Sequence, residues 1–250
     1  MRSFFRCMMD QGPRGNQEDC LLAGGQVFQS AFLDEAVTLE EPVVSAAVFD
    51  GLGGHSSGEK TSRLAAELLA GRLTEADPDF ILTAVRQVQE LSEKRADLAD
   101  GGTTGAGVVV TKGRAVVWSV GDSRVYRLSP SGLVRASRDH SFVQRMVDEG
   151  LISEEEAFTS PYRNLVDFGI GPGFDHAWTN HEVFFHVEEL KGPAAWMLCT
   201  DGVCDVLTDP AMEKVLSPGS PDQAPDLMEA LRKKGLKDNT SFIILQVEDC

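Results

Sequence analysis

Short strand-like runs recur along the chain at about 43–49, 106–112, 114–120, 123–128, 182–188, 194–199 and 241–247. Runs of this length, rich in Val, Ile and Leu and bounded by turn residues, predict buried strands. Val108 to Lys112 and Ala115 to Val120, parted at Gly113-Arg114, have the pattern of a hairpin, so antiparallel pairing is expected. Between the strands the period changes. Residues 57–73 place Leu64, Ala65, Leu68 and Leu69 on one helical face. Asp77-Pro78 supplies a cap and first turn for a second helix with Phe80, Ile81, Ala84, Val85, Val88 and Leu91 inward. The same start signal recurs at Asp209-Pro210, and a last helix near 225–234 ends at Gly235. Strands grouped with strands and helices with helices predict an α+β fold whose helices cover sheet faces.

Two of the strand runs end at the same dipeptide. Val43 to Phe49 leads into Asp50-Gly51, and Ala194 to Thr200 into Asp201-Gly202. A carboxylate at the edge of an apolar core needs a cation nearby, and two such ends brought together make a metal site. Taken alone, an Asp-Gly is a turn. Four further features accompany the pair: Arg14 to Asp19, Gly101 to Gly105, Gly121-Asp122-Ser123-Arg124 and Asp238-Asn239-Thr240. Each has a plainer alternative. Asp122 could pair with Arg124 at a strand end, Asp238-Asn239 could be an Asx turn, Arg14 a surface charge, and Glu18 and Asp19 caps for local backbone. Asp139-His140-Ser141 reads as a helix start before Phe142, and Thr103 and Thr104 as strand-initiating residues.

Composition narrows the function classes. With 39 acidic against 23 basic residues the net charge is −16, and no run of Lys or Arg forms a phosphate-backbone footprint, so nucleic acid and anionic membrane are excluded as expected partners. The 250 residues contain no Pro/Gly/Ser-rich linker, which predicts one domain. Five cysteines, with no CxxC pair, suit a reducing compartment. The apolar N-terminal stretch is broken by Arg6 and ended by Asp10, and nothing approaches the roughly 20 residues of a membrane span. A cytoplasmic monomer is expected.

Taken in order, the motifs Arg14 to Asp19, Phe49 to His55, Gly102-Thr103-Thr104, Val120 to Tyr126, Asp139-His140-Ser141, Leu198 to Val203 and Asp238-Asn239-Thr240 span nearly the whole chain. In this order they resemble the metal-dependent serine/threonine protein phosphatases of the PP2C (PPM) type, in their compact bacterial form. The resemblance implies a four-layer α-β-β-α sandwich over 1–250, with two central antiparallel sheets and a flap at about 142–182. It also implies hydrolysis of phosphoserine and phosphothreonine by a hydroxide bridging two Mg²⁺ or Mn²⁺ ions. Such ions suit a dianionic substrate, and hard cations take oxygen ligands. By the same resemblance Asp50 bridges both ions, the Gly51 carbonyl binds the first, and Asp201 and Asp238 hold the second. Glu18 and Asp19 anchor the hydration shell, Asp122 with Asp201 forms a third ion site, and Arg14 grips the phosphate. No cysteine is expected to be catalytic. The implied partners are phosphorylated proteins, bacterial Ser/Thr kinases and their substrates.

Departures from the family pattern carry expectations of their own. Leu52 stands where animal relatives commonly have a histidine, so the leaving alkoxide must take its proton elsewhere, and His55 reads as a loop residue. Asp167-Phe168 replaces a threonine-arginine pair, predicting a negative, aromatic flap less welcoming to acidic phosphopeptides. Two rivals remain: a catalytically inactive phosphoprotein-binding module, opposed by intact Asp50, Asp201 and Asp238, and a two-metal nuclease, opposed by the lack of a basic groove.

Overall fold

A strand apolar at successive positions, as at Val108-Val109-Val110, needs cover on both faces, and all three side chains are fully buried. The computed structural model describes residues 1–53, 57–216 and 223–248. The first part of the chain forms strands β1 (Arg2–Asp10), β2 (Cys20–Ala23), β3 (Gln26–Phe28), β4 (Phe32–Glu40), β5 (Val43–Phe49) and β6 (Gly51–Leu52). Helices α1 (Ser57–Leu69) and α2 (Pro78–Glu93) follow, then β7 (Gly102–Thr103), β8 (Gly105–Thr111), β9 (Arg114–Val120), β10 (Arg124–Ser129) and β11 (Gly132–Arg135). Helices α3 (Phe142–Asp148) and α4 (Glu154–Thr159) precede β12 (Phe184–Glu189) and β13 (Ala194–Cys199). The chain closes with α5 (Asp201–Cys204), α6 (Asp209–Val215), α7 (Gln223–Lys234) and β14 (Thr240–Glu248).

Two six-stranded antiparallel sheets result, in the orders β11-β10-β13-β14-β1-β4 and β12-β9-β8-β5-β2-β3. They stack face to face over a core containing Phe5, Val48, Val108, Trp196, Leu198 and Ile243. On the outer face of the second sheet, α1 and α2 pack Leu69, Ile81 and Val85 against Phe49 and Trp118. On the outer face of the first, α6 and α7 pack Met212, Leu227 and Leu231 against Tyr126, Met197 and Phe242. Each such side chain contributes about 1.5–3 kcal/mol by leaving water. The expected α-β-β-α layering is therefore present.

Strand runs read from the sequence correspond to β5, β8, β9, β10, β12, β13 and β14, each displaced by two residues at most. Among the described residues, seven strands, β1–β4, β6, β7 and β11, had no such signal. The N-terminal stretch is β1, and Arg6, which interrupts its apolar run, pairs across to Asp34 of the edge strand β4 at 2.6 Å. Asp77 caps α2 as expected, accepting from the amides of Asp79 and Phe80 at 3.1 Å each. Leu91, expected inward, is 40% exposed, whereas Val88, Gln89 and Ser92 beside it are the buried residues of that end of α2. At α6 the cap position falls on Thr208, and Asp209 begins the helix with its carboxylate accepting from the Tyr126 hydroxyl at 2.9 Å. Ser141 caps α3, accepting from the Gln144 amide at 3.3 Å.

The segment 142–182 is rooted beside β7. Thr103 and Ile170 exchange backbone hydrogen bonds at 2.7 and 2.8 Å, and the Gln89 amide clamps Gly171 with bonds of 2.6 and 3.1 Å. Phe168 does not face solvent. It is fully buried among His140, Trp178 and His181, while Asp167 pairs with Arg145 at 2.8 Å. Of the negative, aromatic pair expected on the flap at 167–168, the aromatic therefore lies inside the segment and the acid is paired. His55 and Cys250 lie outside the described residues. Cys7, Cys20, Cys199 and Cys204 are buried free thiols, and burial pushes Cys7 and Cys20 up to about 12. Among the described residues no helix is long and apolar enough to cross a membrane.

Candidate active site

Strand β5 sits mid-sheet in one layer and β13 and β14 are neighbours in the other, so the chain leaving β5 and β13 and entering β14 can meet at one end of the sandwich. Asp50 and Asp201 do meet there, close enough to share a hydrogen bond between carboxyls. The charges of Asp19, Asp122 and Asp201 all act on Asp50, and that of Asp238 acts on Asp19 and Asp201. Carboxylates separated by up to about two hundred residues in sequence are therefore one electrostatic cluster. Asp19 and Asp122 are buried, and Asp50, Asp201, Asp238 and Glu18 are half-buried around the opening.

Local hydrogen bonds hold each acid in place. The Asp50 amide donates to Thr104 Oγ1 at 3.1 Å, and its carbonyl accepts from the Thr104 amide and Thr103 Oγ1, both at 2.9 Å. Thr104 is in turn fixed by Ser123 at 2.7 Å. Thr200 Oγ1 donates to Asp19 Oδ2 at 2.9 Å. Asn239 joins two loops: its Oδ1 accepts from the Glu18 amide at 2.8 Å, and its Nδ2 donates to the carbonyls of Gln11 and Asn16 at 2.8 and 3.0 Å. Two glycines allow the backbones to close. A Cβ on Gly51 would lie 2.4 Å from the Gly58 carbonyl and 2.7 Å from that of Glu18, and one on Gly202 would lie 1.9 Å from the Asn239 carbonyl.

The electrostatics are unfavourable for this many anions without a cation. Burial, reinforced by Asp201 and Asp19, pushes Asp50 well up from the carboxylate range. Burial with the charges of Asp201 and Asp238 takes Asp19 to about 8, and burial with Asp205 takes Asp201 to about 6. Asp122 is raised by burial, Asp201 and Asp139, and Glu18 by burial. Among the described residues, Arg14 is the one guanidinium that pairs with Asp238, through Nη2 and Oδ2. Although partial burial opposes its charge, Asp238, Glu18 and Asp201 hold it more firmly protonated. The donors are all oxygens, mostly carboxylates, with no imidazole or thiolate among them. Such a set fits Mg²⁺ or Mn²⁺ rather than a softer metal.

All the acids singled out from sequence are thus brought together, but not as a closed cage. Among the described residues no three of them surround one point as a ready ligand set. Asp50 and Asp201 are turned toward each other and Asp238 toward Arg14, and ions of this class take several ligands from water. The pairing of Asp122 with Arg124 does not form, because the Arg124 fork is spent on Asp139 at 2.8–3.2 Å. His140 has both ring nitrogens against backbone carbonyls, Gly121 at 3.3 Å and Glu182 at 3.0 Å, which is a structural placement. In the sequence Thr104 reads as a strand-initiating residue, Thr200 as the end of a strand run, and Asn239 as part of a motif whose plainer alternative is an Asx turn. Their tie to the acids is tertiary, and only their place inside the motifs signalled it.

The sequence pattern of the family described as Protein phosphatase 2C matches residues 22–238. Serine/threonine protein phosphatase PstP of Mycobacterium tuberculosis is 30% identical over 248 residues, covering 94% of this chain and 43% of PstP. The chain therefore spans less than half the length of that relative. Serine/threonine phosphatase stp of Listeria monocytogenes is 30% identical over 190 residues, 70% of this chain and 72% of that protein. The solved catalytic domain of PstP, in complex with two manganese ions, superposes with a TM-score of 0.76 at 26% identity, covering 99% of this chain and all of that one.

Proposed function

The chain belongs to the protein phosphatase 2C family, and from that premise we propose that it hydrolyses phosphoserine and phosphothreonine in proteins, using Mg²⁺ or Mn²⁺. The observation that carries this reading is the cluster of Asp19, Asp50, Asp122 and Asp201, whose burial and mutual repulsion demand cations. The two manganese ions in the PstP structure support it. Asp50 would hold both ions with the Gly51 carbonyl on the first and Asp201 and Asp238 on the second. Asp19 and Glu18 would steady their hydration, and Asp122 with Asp201 would take a third. When bound, such ions lower the pKa of water held between them and neutralise phosphoryl oxygens, easing in-line attack on phosphorus.

The chain's own residues supply binding and order. Arg14, 55% exposed on its side chain, can release Asp238 and turn its fork to a phosphate dianion. Thr104, Thr200 and Asn239 keep the acids from following their mutual repulsion outward. Leu52 offers no proton, so the leaving alkoxide is protonated from solvent or from a group on the substrate side. In this reading residues 1–250 act as one domain with 142–182 as its flap. The protein is a cytoplasmic monomer that reverses the action of Ser/Thr kinases.

Hydrolysis of a phosphothreonine peptide with and without Mn²⁺ tests the reading. Turnover is expected only with the ion, and Asp50→Asn is expected to lower it by at least about two orders of magnitude, because both ions lose their shared ligand. Turnover that survives chelation would refute it.

A further inference from the structure

Beside the acidic cluster, between α3–α4 and α6, lies a cavity of about 660 Å³ that has Asp122 and Asp201 in its wall. That is the size of a binding site for a substantial ligand, about 300–1,000 Å³. Its surface is mainly apolar on the α3–α4 side, where Val143, Val147, Ala157 and Phe158 line it. Seven carboxylates and three guanidinium groups also face it. The guanidinium groups are committed: Arg124 and Arg135 both hold Asp139, at 2.8 and 2.7 Å, and Arg163 holds Asp205 at 2.8 Å. A surplus of negative charge is left. Two of the surplus acids, Glu154 and Glu155, stand exposed in the first turn of α4, and no ion pair among the described residues engages them.

We propose that this cavity is a specificity subsite for a basic side chain of the phosphoprotein, an Arg or Lys near the phosphorylated residue. The inference rests on the phosphatase reading and names its substrate class. The aliphatic stem of such a residue lies along Val143, Val147 and Phe158, and its charged head reaches Glu154 and Glu155. An acidic side chain would add a further anion to a wall already in negative surplus. The net charge of −16 steers basic segments toward the surface. Because the cavity shares Asp122 and Asp201 with the proposed reaction centre, a peptide can occupy both at once.

The test compares phosphothreonine peptides that differ only in flanking Arg, Gln or Glu, with p-nitrophenyl phosphate as a substrate lacking flanks, all with Mn²⁺. The parent is expected to favour the Arg peptide over the Gln peptide in kcat/KM by about fivefold or more, and the advantage should shrink with salt. E154Q/E155Q should erase that advantage while leaving p-nitrophenyl phosphate unchanged, since Glu156 keeps the capping box of α4 with Ser153. E154K/E155K should reverse it. Equal cleavage of the Arg and Gln peptides by the parent, or an advantage that survives E154K/E155K, overturns the subsite alone. A parent that cleaves neither the peptides nor p-nitrophenyl phosphate overturns the phosphatase reading itself.

Discussion

Arg14 meets a phosphate with its fork already engaged by Asp238, so substrate binding exchanges one charge-assisted pair for another rather than creating one from water. The exchange keeps the guanidinium oriented and lets the stronger dianion take it. Arg14→Ala is expected to lower kcat/KM for a phosphopeptide on the order of ten- to a hundredfold, the loss of a bidentate charged contact, with Arg14→Lys recovering only part. Steady-state kinetics at fixed Mn²⁺ check this; a change below about twofold would show that Arg14 does not touch phosphate. Asp19 carries a pH signature. Its folded pKa, about 8, lies above the unfolded carboxylate range. Between those values the folded chain holds a proton that the unfolded chain releases, so this group's contribution to stability is present at low pH and lost as pH rises toward 8. Chelated protein should therefore melt at a lower temperature at pH 8 than at pH 5.5, and Asp19→Asn should flatten that dependence. An unchanged slope in the variant would mean that Asp19 is not the group being titrated.

At the scale of elements, strand ends place the chemistry and a few glycines let them approach. Gly202 opens α5 against the Asn239 carbonyl, where an added Cβ would sit 1.9 Å away. Gly202→Ala must push the turn carrying Asp201 away from the loop carrying Asp238, and both loops belong to the acid cluster. Lower thermal stability together with weakened Mn²⁺ binding is expected; a variant that melts and binds as the parent does would mean the loops move freely. This scale also shows what the sequence made legible. Strands β5, β9 and β13, apolar at almost every position, were plain because both faces are covered. Edge strand β4 was not: Asp34, Glu35 and Glu40 give it the look of a solvated loop, and its pairing with β1 is non-local. Asp50, Asp201 and Asp238 were readable because the first two end an apolar run and the third precedes one. The buried fate of Phe168 was not, since it depends on His140, Trp178 and His181 folding around it.

Across the whole molecule, two sheets and their helical covers form a rigid frame that forces like charges together at one end, and the cost of that crowding falls on the metal-free state. Cation binding to the folded chain alone should recover it, so the central claim is about what this cluster binds. The most direct measurement is calorimetric titration of the chelated protein with Mn²⁺, parent beside Asp50→Asn at the same pH. Uptake of at least two ions by the parent, with the tighter binding lost in the variant, is the predicted result. No uptake by a folded parent, or identical isotherms for the two proteins, would contradict it.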